Sequence, residues 1–176
     1  MDVNRDFKVR KMFSTAYTPN GYVDNTKFIL ADVNNRYYIK GDIGTGKSDF
    51  LKRIIEECTL RDYHIEIYYN SLIPSKIESI IIFELDTIIS SNHKTLEFTN
   101  TLIDFNEHFN KPKEKPEEEN YEVKMFNELV LGGIEGLRGA KDNHLALEES
   151  YKKAVNYKGV DEVKERIWTE IESHMK

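Results

Sequence analysis

The stretch "YYIKGDIGTGKSDFL", Tyr37 to Leu51, decides how the rest of the chain is read. Gly41, Gly46, Lys47 and Ser48 occupy every fixed position of the phosphate-loop template GxxxxGK[ST], with Gly44 and Thr45 between them. The flanks suit it. Tyr37 to Lys40 is aromatic and β-branched and predicts a short strand, while Ser48 to Arg61 sets Phe50, Leu51, Ile54, Ile55 and Cys58 on one side of a helix. Strand, glycine loop and helix therefore arrive in the order that a phosphate cradle requires.

The residue types follow from the chemistry. A polyphosphate needs several N–H donors converging on it, and Gly41, Gly44 and Gly46 let the backbone approach without a Cβ in the way. The following helix aims its unpaired N–H groups and positive dipole end at the anion. Lys47 would bridge the outer phosphates, and the Ser48 hydroxyl would ligate the magnesium ion that travels with ATP or another nucleoside triphosphate. The expected contact set is Gly41, Asp42, Ile43, Gly44, Thr45, Gly46, Lys47, Ser48 and Asp49.

Composition narrows the remaining classes. With 176 residues the chain has room for one domain with a real core, but not for a second complete nucleotide domain. A net charge of −6 and a pI near 5.5 argue against a general grip on nucleic acid, which needs clustered Lys and Arg. The single Cys58 excludes a disulfide framework and points to a reducing compartment. No apolar run is long enough for a signal peptide or a membrane span, so the expected location is cytoplasmic.

Along the chain, residues 1–11 read as a loose N-terminus and residues 12–92 as the nucleotide-binding sheet. Within the latter, "KMFSTAY" predicts a strand and "TPNGY" a turn, and "DNTKFILADV" predicts a helix with Asp24 as its N-cap. Tyr63 to Tyr69 reads as the next strand. Ser79 to Phe83 is a continuous apolar run suited to a parallel strand covered on both faces, and Thr87 to Ser90 offers a further strand. Lys111 to Glu122 carries dense charge and two prolines, as an exposed loop would. Residues 123–176 show helical periodicity. A helical hairpin or long helix pair packed on the sheet is expected there, with Gly159 at the break, Asp161 as N-cap, and Ile167, Trp168 and Ile171 in the core. Gly132, Gly133, Gly136 and Gly139 predict either a close helix approach or a break. The fold class is α/β, a three-layer phosphate-loop architecture with a small, mostly parallel sheet and a helical C-terminal third.

The runs "MFSTAYTPNGYVD", "RYYIKGDIGTGKSDFLKRI", "YHIEIYYNSLIPSKIESIIIFEL" and "YKKAVNYKGVDEVKERIWTEI" together resemble the second half of a bacterial family of tandem P-loop ATPase-like proteins. Members carry two related nucleotide modules in one chain. The resemblance covers most of residues 12 to 171 outside the charged loop. It implies ATP binding, and a second P-loop half or a homo-oligomer as partner.

Hydrolysis adds a demand for an acidic residue at the end of a neighbouring strand. Glu84, which follows the apolar run, and Asp86, two residues on, are the candidates, with Lys47 as the third catalytic residue. Asp42 and Asp49 bring negative charge to the loop and would oppose phosphate, although Asp49 also suits the first turn of a helix. Arg36, Arg53 and Arg61 could each serve as a charge-neutralising finger and nothing singles one out, while Tyr17 and Tyr22 could flank a base but read better as packing residues. Three readings follow: a P-loop ATPase of slow or partner-dependent turnover, a degenerate module kept as an interaction surface, or a small-molecule kinase with "GLRGAK" as its lid.

Overall fold

The computed structural model describes residues 7–30, 32–108 and 117–174. Among the described residues, eight strands and four α-helices form in the order β1 (Val9–Phe13), β2 (Thr15–Thr18), β3 (Gly21–Asp24), α1 (Thr26–Leu30), β4 (Asn35–Lys40), α2 (Lys47–Leu60), β5 (Ile65–Tyr69), β6 (Ile77–Ile82), β7 (Thr87–Ser90), β8 (Thr101–Asp104), α3 (Glu117–Lys152) and α4 (Tyr157–His174). Strands β2 and β3 make a separate hairpin, turning at Gly21 with φ of 104°. The other six form one mixed sheet in the order β1-β5-β6-β7-β4-β8. Pairings β1–β5, β4–β7 and β4–β8 are parallel, whereas β5–β6 and β6–β7 are antiparallel. Only β6 runs against the rest.

That reversal corrects the expectation of a parallel strand over Ser79 to Phe83. β6 joins its neighbours through the short segments Asn70–Lys76 and Phe83–Asp86, and connections of that length cannot carry a chain back across the sheet. The apolar run arises from burial on both faces instead. Ile80 and Ile82 join Ile39, Leu51, Cys58, Ile65 and Ile67 beneath α2, while Ile81 joins Leu30, Val33, Tyr68 and Ile88 on the opposite face. Alternate residues thus serve two cores, with α2 covering one and α1 the other. The structure is α/β.

Other boundaries also differ. Val9–Phe13 is paired to β5, so the N-terminus is ordered into the sheet from Val9; residues 1–6 lie outside the described residues. The sheet also continues past residue 92, because β8 pairs with β4. Its four residues carry too little alternation to announce themselves. The predicted helix after "TPNGY" shortens to α1, although Asp24 does accept a hydrogen bond from the Thr26 N–H at 2.8 Å, as a cap would. The charged stretch 111–122 is helical from Glu117, and residues 111–116 lie outside the described residues.

The C-terminal third is helical but does not pack on the sheet. No residue of α4 is buried, and Trp168, Ile167 and Ile171 are 57%, 49% and 45% exposed, so they are not core. α3 passes through its four glycines without a break, and nothing lies within 4 Å of the positions their Cβ atoms would take, so neither alternative for them holds. The helix break falls at residues 153–156 and the cap is Asn156, not Asp161: its Oδ1 accepts the Gly159 N–H at 3.2 Å. α3 instead touches the hairpin, where Arg138 Nε donates to the Pro19 carbonyl at 3.3 Å and Lys141 Nζ to Asn20 Oδ1 at 3.3 Å.

Candidate phosphate site

Because five of the six strands share a direction, their C-terminal ends and the start of β6 meet at one edge of the sheet. Ligands of open α/β sheets bind at such an edge. The loop Gly41 to Gly46 leaves β4 there and enters α2. Gly44 and Gly46 take φ of 87° and 85°, a region costly to any residue with a Cβ. Gly41 is needed for space, since an added Cβ would lie 2.5 Å from Thr45 Oγ1 and 3.2 Å from the Phe105 Cβ. The Phe105 ring in turn stacks edge-on against Phe50 at 5.3 Å, tying the loop's underside to α2.

A cavity of about 590 Å³ opens over this loop. Ile43, Gly44, Thr45, Gly46, Lys47, Ser48 and Asp49 form one wall, and Lys76, Ile77, Glu78, Asn70 and Ser91 belong to the other. The walls are tied together where the Ser48 hydroxyl accepts the Ile77 N–H at 3.0 Å. Lys47 Nζ curls onto its own loop, donating to the Gly41 carbonyl at 2.5 Å and the Asp42 carbonyl at 2.8 Å. Burial pulls the Lys47 ammonium below its ordinary pKa and the charge of Lys76 adds to this, against the opposing pull of Asp42. The charge of Asp49 is taken up by Lys52 at 2.9 Å, and that bond holds the Asp49 carboxyl below the usual range. Its repulsion of a phosphate is therefore largely answered within one turn of α2.

Glu84 and Asp86 lie at the other end of the sheet. Asp86 precedes β7, whose Thr87 pairs with Asn35 at the start of β4, about 20 Å from the loop at the usual rise per strand residue. There Asp86 accepts from the Asn34 N–H at 3.2 Å, and Glu84 accepts from the His64 backbone at 2.9 Å and meets His64 Nδ1 at 2.5 Å. Both are occupied in fastening strand ends. The reversal of β6 is the cause: its C-terminal end points away from the glycine loop, and its N-terminal end points toward it.

The acidic residue which that reversal brings to the cavity wall is Glu78. Its Oε1 accepts from Asn70 Nδ2 at 3.3 Å, whereas Oε2 is buried with no hydrogen-bond partner. Burial raises its pKa, and the nearby charge of Asp24 raises it further. The sequence did hold a signal in "KIESIII", where a lone acid interrupts an apolar strand. Asp104, at the end of β8 beside the loop, pairs with Lys40 at 3.1 Å and does not line the cavity. Nor do Arg36, Arg53 and Arg61; Arg36 donates instead to the Val33 carbonyl, and Arg61 to Glu57. Tyr17 and Tyr22 pair across the hairpin with ring centroids 5.2 Å apart, and "GLRGAK" lies on α3 against that same hairpin. Neither reaches the cavity wall.

The donor set fits a phosphate chain better than a bare metal ion. Among the described residues no group of three or more His, Cys, Asp or Glu could hold a cation, so a magnesium ion would depend on phosphate oxygens, with Ser48 as protein ligand. Ser48 keeps a lone pair for this beside its bond from Ile77. No helix among the described residues is long and apolar enough to cross a membrane. No known family, no curated protein and no solved structure matches this chain.

Proposed function

We propose that the chain is a P-loop module that binds magnesium–ATP or a related nucleoside triphosphate and hydrolyses it slowly or when a partner joins. One observation carries this reading: the GxxxxGKS segment folds as a left-handed glycine loop between a strand and the N-terminus of a fourteen-residue helix, and a cavity opens over it. The backbone N–H groups of Gly44 to Ser48 gather the phosphates, and Lys47 exchanges its carbonyl partners for phosphate oxygens. Magnesium, when bound, neutralises phosphate charge. Glu78, the acid on the cavity wall, takes the proton of the attacking water as the water oxygen bonds the terminal phosphorus and the nucleoside diphosphate leaves; its Oε1 is held by Asn70 and its Oε2 is buried, so a turn of the side chain accompanies that step. The partner is a second P-loop half or a second copy, in keeping with the tandem family that the sequence resembles.

Calorimetric titration of the native chain and of Lys47→Ala with MgATP, MgADP and MgGTP tests the reading. Micromolar binding by the native chain, at least tenfold weaker in the variant, is expected. An absence of binding to all three would defeat it and leave the loop as architecture in an interaction domain.

A further inference from the structure

We propose that Lys76, on the wall facing the phosphate loop, reads the terminal phosphate and makes the site prefer a triphosphate to a diphosphate. The inference rests on the nucleotide reading above and deepens it.

The position of Lys76 is set by its own connection. Asn70 N–H donates to the Lys76 carbonyl at 2.9 Å, Lys76 N–H to the Ile73 carbonyl at 2.9 Å, and Asn70 Oδ1 accepts from Leu72 and Ile73 at 3.1 and 2.9 Å. The segment from β5 to β6 is thus closed on itself. The next residue, Ile77, bonds the Ser48 hydroxyl at 3.0 Å, so the base of Lys76 stands beside the first turn of α2, where that helix collects an anion.

The other cations at this edge are engaged. Lys40 pairs with Asp104, Lys52 with Asp49, and Lys47 with loop carbonyls. Lys76 makes no ion pair or side-chain hydrogen bond among the described residues, and Glu78, two residues on in the same cavity, does not pair with it. Lys76 is also close enough to Lys47 to push its pKa down. Lys76 is exposed on the cavity wall and Lys47 partly buried across from it, and two ammonium groups that feel each other repel until an anion lies between them. Lys47 and the helix terminus suffice for a shorter phosphate chain, and a further phosphate meets Lys76.

The test is the affinity of the native chain, Lys76→Gln and Lys76→Arg for MgATP, MgADP and inorganic tripolyphosphate. Lys76→Gln is expected to weaken MgATP about tenfold and MgADP less than twofold, and Lys76→Arg to restore most of the difference. Equal losses for both nucleotides, or none, would overturn the inference while the nucleotide reading stands. Tripolyphosphate bound in a Lys76-dependent manner without any nucleotide binding would keep the inference and defeat the nucleotide reading. If neither class of ligand binds, both fall.

Discussion

Glu78 sets stability against function at a single residue. Its carboxyl is mostly buried, has one oxygen without a partner and sits near Asp24, so folding raises its pKa above the ordinary 4.5. A raised carboxyl pKa means that the folded state binds the proton more tightly than the unfolded one. The charge therefore costs nothing below pH 4.5, and the cost grows as pH rises through the folded value. Glu78→Gln removes that charge, so its unfolding free energy from a urea titration at pH 7 should exceed the native one by on the order of 1 kcal/mol, with the gain vanishing near pH 4. The same variant should keep its MgATP affinity within about threefold and lose most single-turnover hydrolysis. A variant that is less stable at pH 7 than the native chain would contradict the burial argument. Asp49 makes the opposite case. Its carboxylate is exposed and already answered by Lys52, so Asp49→Thr should change MgATP affinity by less than about threefold in calorimetry. A gain of tenfold or more would show that Asp49 holds the loop off.

At the scale of elements, α2 is where local pattern and tertiary packing agree. The apolar side read from its period is the side that packs: Leu51 and Cys58 are buried, and Phe50, Ile54 and Ile55 lie against the same core. Leu51 is fully enclosed, and Leu51→Ala should cost about 2–5 kcal/mol in denaturant unfolding. Gly46 begins this helix with φ of 85°, and Gly46→Ala should destabilise by about 1–2 kcal/mol and abolish phosphate binding through a distorted loop. Normal MgATP affinity in that variant would show that the loop does not need its left-handed turn. β6 teaches the reverse lesson. Its composition announced a strand buried on both faces, and it is one, but composition carries no direction. The placement of Glu84 and Asp86 rested on that direction alone.

At the scale of the whole molecule, the fold is a sheet with two cores and a helical extension that meets the hairpin through α3. Since α4 has no buried residue and α3 reaches the hairpin through exposed side-chain bonds, a chain ending at residue 108 should unfold within a few degrees of the native chain in a thermal scan followed by near-ultraviolet dichroism. A large drop would mean that α3 and α4 cover the sheet in solution. The sequence by itself determined the strand, glycine loop and helix around Lys47, because that information lies within about twenty adjacent residues whose spacing, φ requirements and amphipathic period are local. It also determined the α/β class and the buried character of β6. Only the tertiary structure decided which acid and which second lysine share the cavity. Those follow from strand order and from the short connections that turn β6 around, and such choices are settled by pairing and loop closure between distant residues, not by any period that a stretch of sequence can display.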